Sequence, residues 1–86
     1  MSKRKKILIL GVTGQDGSFM AKLMHKKRYF VHGLVRKSST GNLSNIKDLL
    51  NKKNFFIHHG DLLDSISIEK IIKKLQPDEI YNFADQ

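Results

Sequence analysis

Gly11, Gly14 and Gly17 stand at intervals of three in the stretch LILGVTGQDGS (8–18), directly after an apolar run. A glycine loses more backbone freedom on ordering than any other residue, so a regular set of them marks a place where side chains would obstruct something. After a buried strand, such a turn lets the backbone approach a pyrophosphate. The first turn of the following helix presents unpaired N–H groups and the positive end of its dipole to the same anion. In that arrangement Gly11 makes the tight turn, Gly14 permits the close approach and Gly17 lets helix and strand pack together. The bland alternative is a glycine-rich turn without a ligand. A strand before and a helix after, inside a βαβ unit, favour the phosphate reading.

The next chemically informative position is the end of the second strand, about 20 residues on, where an acidic residue holds the ribose hydroxyls of NAD. This chain has GLVRKSS (33–39) there. Arg36 and Lys37 attract a 2′-phosphate and Ser38 and Ser39 are neutral donors, which favours NADP over NAD; Arg36 as a solvated loop charge is the alternative. Further on, HHGDLLDS (58–65) places Asp61 where its carboxylate could accept from an adenine amino group, with Leu62 against the ring. Asp61 as a turn residue and Asp64 as a helix cap is the competing reading. His58 and His59 read as sheet residues. His25 and His32 are far from them in sequence and lack acidic or thiolate neighbours at ligand spacing, so no metal site is expected.

These residues need elements to hold them. Residues 6–10, YFVHGLV (29–35), FFIHH (55–59) and EIYNFA (79–84) are short, rich in β-branched and aromatic residues, and bounded by Gly, Asn, Asp or Pro. They read as four strands. A helix is predicted from about Gln15 to Lys27 with Met20, Leu23 and Met24 inward. A second is predicted over 42–53 with Leu43, Ile46, Leu49 and Leu50 inward. In SISIEKIIKKLQ (65–76), Ile68, Ile71, Ile72 and Leu75 follow the i, i+3, i+4, i+7 spacing of one buried face, with Asp64 or Ser65 as cap and Pro77 as stop. Strand and helix alternate as in an α/β, doubly wound parallel sheet, and right-handed crossovers predict the strand order 3-2-1-4.

Composition restricts the partners. The 86 residues allow one small domain with a thin core and no separate substrate domain. Sixteen Lys and Arg against eight Asp and Glu, net +8, suit contact with phosphates, but the cations are spread over the chain, with no aromatic platforms beside them, so nucleic acid is not the expected partner. There is no cysteine, which suits a reducing cytoplasm and excludes disulfides and thiolate metal sites. The basic start MSKRKKILIL leads into too short an apolar run for a signal peptide, and nothing approaches the roughly 20 apolar residues of a membrane span.

Taken together, GVTGQDGS, VHGLVRKSS, HHGDLLDS and EIYNFADQ resemble the extended short-chain dehydrogenase/reductase family, in order and over nearly the whole chain. The resemblance implies the first half (βαβαβαβ) of a Rossmann-like domain, residues 1–86 being the N-terminal part of an NADP-binding domain. It also implies that Gly11, Val12, Thr13, Gly14, Gln15 and Asp16 line the pyrophosphate, that Arg36 takes the 2′-phosphate, and that Asp61 and Leu62 hold adenine; Gly17, Lys37 and Ser38 count with them as cofactor-binding. Phe83, Ala84, Asp85 and Gln86 would approach the ribose and nicotinamide side. For a complete enzyme it implies an NADP-dependent lyase acting on a GDP-sugar. The family's Tyr-x-x-x-Lys pair has no counterpart here, since Tyr81 is followed four residues later by Asp85, so no catalytic residue is expected in this chain. A stand-alone nucleotide-binding module, or part of a nucleotide-sugar epimerase or reductase, is the alternative. Relatives usually carry Thr at the position of Leu10, Gly at that of Arg28 and a small residue at that of Asp85. A left-handed Arg28 would cost about 1 kcal/mol. The first and fourth strands are expected to need neighbours or cover, which predicts marginal stability and self-association.

Overall fold

In a computed structural model, which describes residues 4–36, 43–61 and 63–83, the four apolar segments form β1 (Lys6–Leu10), β2 (Phe30–Arg36), β3 (Phe55–Gly60) and β4 (Glu79–Asn82). They pair in parallel in the order β3-β2-β1-β4, as the crossover argument predicts. The expectation that β1 needs an outside neighbour is corrected by this order: β1 lies between β2 and β4, and the edges are β3 and β4. Ile7, Leu8 and Ile9 are completely buried because both faces of β1 are covered.

One face packs Ile7, Ile9, Val31, Val35 and Phe55 against Ala21 and Met24 of helix α1 (Gln15–Lys26) and against Ile46 and Leu49. On the other face, Leu8, Leu10 and Leu34 meet Leu75 of helix α2 (Ser65–Leu75), with Ile68, Ile71 and Ile72 alongside, as the spacing predicts. The inward face of α1 is rotated from expectation. Gly17, Ser18, Ala21 and Met24 are buried, Met20 is half-buried and Leu23 is exposed. The close seat of Gly17 sets that rotation.

The helix predicted over 42–53 is corrected to a 3₁₀ segment, Ser44–Leu49, kinked at Ile46 (φ −115°, ψ 16°). Ile46 and Leu49 still reach the core, while Leu50 is left outside. Asp64 caps α2, its Oδ1 accepting from the Ile66 N–H at 3.0 Å, and Gln76 (φ 48°) turns the chain out just before Pro77. At the opposite edge of the sheet from the glycine loop, Asp78 Oδ2 accepts from the Lys6 N–H at 2.7 Å, tying the start of β4 to β1.

Arg28 takes the left-handed conformation (φ 68°). Its N–H donates to His25 O at 2.9 Å and the Tyr29 N–H to Met24 O at 3.3 Å, the paired bonds of a Schellman turn closing α1. The turn forms despite the Cβ. We therefore expect Arg28→Gly to stabilise the chain by about 1 kcal/mol, raising the melting temperature by roughly 4–8 °C. A thermal melt showing no rise would mean that the strain is relieved elsewhere.

Candidate functional site

At the end of β1 the backbone turns through Gly11, whose φ of 81° is closed to most side chains. The Gly14 N–H donates to Gly11 O at 3.2 Å, completing the turn, and the Ser18 N–H donates to Gly14 O at 2.9 Å, starting α1. Gly14 is the N-cap and no side chain caps the helix, so the N–H groups of Gln15, Asp16 and Gly17 precede the first intrahelical bond. Unpaired N–H groups at a helix N-terminus suit an anion. The three glycines have separate roles, as the spacing predicts. A Cβ on Gly17 would lie 2.2 Å from Gly11 O, whereas one on Gly14 would meet, among the described residues, only Gly11 O, at 3.6 Å. Gly17 is required by packing and Gly14 is not, which leaves room above Gly14 for a ligand.

Val12 contributes backbone alone, since its side chain is fully buried against Gly33. The Thr13 carbonyl accepts from Asn45 Nδ2 at 2.9 Å. Asn45 thus ties the 3₁₀ segment to the glycine loop, a role the sequence reading missed because no local spacing announces it. Phe83 follows β4, its N–H donating to Leu10 O at 2.8 Å, and lines a small concavity of about 140 Å³ with Gly14, Gln15, Asp16 and Gly17.

A larger cleft of about 780 Å³ opens over the carboxyl ends of β2 and β3 and the first turns of α2, with Arg36, His59, Gly60, Asp61 and Asp64 among its lining residues. Arg36 and Gly60 are register partners, which brings the predicted phosphate-binding cation beside the Asp61 turn. Asp61 Oδ1 accepts from the Leu63 N–H at 2.9 Å, so Asp61 also acts as the turn residue of the competing reading. Lys37, Ser38, Ser39, Leu62, Ala84, Asp85 and Gln86 lie outside the described residues.

Below this edge, His32 Nδ1 and His58 Nε2 are 2.9 Å apart with ring centroids separated by 5.1 Å. A contact that short at that separation is met when two imidazoles face each other edge to edge, one donating and one accepting. Sequence separation had set these residues apart. Parallel pairing of β2 and β3 brings them together. His32 also stacks on Phe56, centroids 4.7 Å apart. Burial first, then His58 and Lys6, pushes His32 down to about 4 from an ordinary 6.5. Burial first, then Lys74 and His59, lowers His58 as well. A depressed histidine binds its proton more weakly in the folded than in the unfolded chain, so stability is fully present above about pH 6.5 and is lost as pH falls toward 4. Allowing for solvent near the rings, we expect about 1–2 kcal/mol to be lost between about pH 7 and about pH 5. Urea unfolding at both values checks this, and His32→Phe should flatten the dependence.

The strand order reverses direction at β1, and both concavities lie at the carboxyl edge on either side of that point, where open α/β sheets bind ligands. Together with the glycine cradle, this is the Rossmann-type fold of the short-chain dehydrogenase/reductases. Residues 8–86 match the family of GDP-mannose 4,6 dehydratase, and the chain belongs to it. It is 45% identical to the GDP-mannose 4,6-dehydratase of Yersinia enterocolitica, over 95% of this chain and 23% of that protein. Among solved structures it is similar to the Bordetella bronchiseptica enzyme WbmH in complex with NAD+, with a TM-score of 0.81 at 28% identity, covering 98% of this chain and 27% of that one. A second is dTDP-glucose 4,6-dehydratase from Bacillus anthracis in complex with NAD, with a TM-score of 0.80 at 26% identity, covering 95% and 27%. The chain spans about a quarter of the length of these relatives. Among the described residues no helix is long and apolar enough to cross a membrane.

Proposed function

We propose that residues 1–86 are the N-terminal, cofactor-binding part of a GDP-mannose 4,6-dehydratase and that the cofactor is NADP. The observation that carries this reading is the cradle itself. Gly14 caps a 12-residue helix with no side-chain cap hydrogen bond, and among the described residues only Gly11 O lies near its missing Cβ. A pyrophosphate fits there. Backbone N–H groups and the helix dipole supply the attraction, and Asn45 holds the loop in place through Thr13. From there the ligand runs across β1 toward the ends of β2 and β3, with its adenosine half in the larger cleft between Arg36 and Asp61.

Held by the glycine turn and Arg36, NADP would supply a hydride acceptor and donor for the conversion of GDP-mannose to its 4-keto-6-deoxy product in a complete enzyme. This chain's residues bind and orient the cofactor and leave the proton transfers to residues it does not contain. Tyr81 has its hydroxyl committed to Glu79 Oε1 at 2.6 Å, consistent with a structural place for it.

NADP is favoured over NAD because β2 ends in a cation. Arg36 is exposed and makes no ion pair with a described residue. The two neighbouring structures were solved with NAD, so the choice rests on Arg36 and its surroundings. Calorimetric titration tests it. NADP is expected to bind more tightly than NAD, and Arg36→Ala to cost about 1.5–3 kcal/mol toward NADP with little change toward NAD. Equal affinities in the unaltered chain would overturn the assignment.

A further inference from the structure

We infer that Lys70, on the second turn of α2, is a second phosphate-binding cation that works with Arg36 to set cofactor specificity. The inference rests on the nucleotide reading above and deepens it. The large cleft is lined by two cations, Arg36 and Lys70, and two carboxylates, Asp61 and Asp64, and by count it looks neutral. The hydrogen bonds show that the opposite charges are held apart. Asp64 uses Oδ1 for the Ile66 N–H at 3.0 Å and Oδ2 for the Ser67 hydroxyl at 3.0 Å, and Asp61 uses Oδ1 for the Leu63 N–H at 2.9 Å. Neutral donors of their own turn and helix cap orient these carboxylates, which keep their charge but are not ion-paired with Arg36 or Lys70. Arg36 and Lys70 have no ion-pair partner among the described residues.

Arg36 and Lys70 are therefore each open to an added anion. Lys70 reaches it because α2 begins directly after β3 and turns Ser67, Lys70 and Ile71 toward the same opening. Two cations on separate elements, one at a strand end and one on a helix, suit a doubly charged phosphate monoester better than one of them suits a neutral ribose. At about 780 Å³ the cleft can accept an adenosine with a phosphate attached.

The test uses the full chain with adenosine 2′,5′-bisphosphate and adenosine 5′-monophosphate as probes, by calorimetry at low salt. Lys70→Gln keeps a good helix former and should leave the circular-dichroism melt unchanged. It should weaken the bisphosphate roughly three- to tenfold, leave the monophosphate within about twofold, and flatten the salt dependence of bisphosphate binding. Lys70→Arg should restore most of the loss. Bisphosphate affinity that falls with Arg36→Ala but is untouched by Lys70→Gln would overturn the role of Lys70 while leaving the nucleotide site standing. Equal loss toward both probes would overturn it too, by showing attraction without discrimination. If neither probe binds the unaltered chain, the nucleotide reading itself is wrong, and the role of Lys70 falls with it.

Discussion

Gly17→Ala is expected to abolish cooperative folding. The added Cβ would sit 2.2 Å from Gly11 O and 3.0 Å from Gly11 C and Val12 Cα, all of them backbone atoms. None of these can step aside at low cost. Gly11 is held at φ 81° with its carbonyl accepting from Gly14, and Val12 is fully buried against Gly33, where a Cβ would in turn lie 2.6 Å from Val12 Cγ1. Relief requires α1 to lift from β1, which opens the contacts of Ala21 and Met24 with the sheet. Overpacking against backbone costs about 3 kcal/mol or more. A domain of this size holds roughly 0.05–0.15 kcal/mol per residue in all, so a loss of that order removes much of its stability. Urea unfolding followed by circular dichroism should show a transition that is lost or moved far to low denaturant. An unchanged midpoint would mean that the helix is not seated on the loop.

The same glycine explains what could be read in advance and what could not. The tight turn at Gly11 and the close packing at Gly17 follow from spacing alone, because a strand-to-helix turn of this length has few solutions in backbone geometry. The α2 face follows too, since Ile68, Ile71, Ile72 and Leu75 fit only the helical repeat and Asp64 is a strong cap. The 42–53 segment was more ambiguous than its reading as a helix allowed. Leu43, Ile46 and Leu49 are spaced by three, the repeat of a 3₁₀ turn, and only Leu50 argued for the α period; Leu50 is the one left exposed. The rotation of α1, with Leu23 outside, depends on how closely Gly17 approaches β1, a tertiary distance.

The histidine pair and Asn45 were hidden for a different reason. His32 and His58 are 26 positions apart, and their contact depends on the register Leu34↔His58, one pairing among several that the apolar pattern permits. Asn45 meets Thr13 only because the 3₁₀ segment packs beside α1 over the same sheet face. Local pattern reports which face a residue takes. Contacts between elements need the register and the packing distance as well.

Gly14→Ala should have the opposite signature to Gly17→Ala: an intact fold and a lost ligand. Gly14 has φ −73° and ψ 171°, extended backbone open to any residue, and its added Cβ would stand at an ordinary 3.6 Å from Gly11 O. Alanine is a poorer N-cap than glycine but restricts the unfolded chain, so the net change in stability should stay within about 1 kcal/mol. Binding is another matter. A phosphate reaches the N–H groups of the first turn only by passing over Gly14, and a methyl group there holds its oxygens off the donors. Charge-assisted hydrogen bonds are worth about 1.5–3 kcal/mol each, so losing one or two costs about tenfold or more in NADP affinity. Calorimetry on the folded variant measures this directly, with the melting temperature as the control for structure. NADP affinity unchanged by Gly14→Ala would place the pyrophosphate elsewhere, and the cradle at the head of α1 would then be a turn without a ligand.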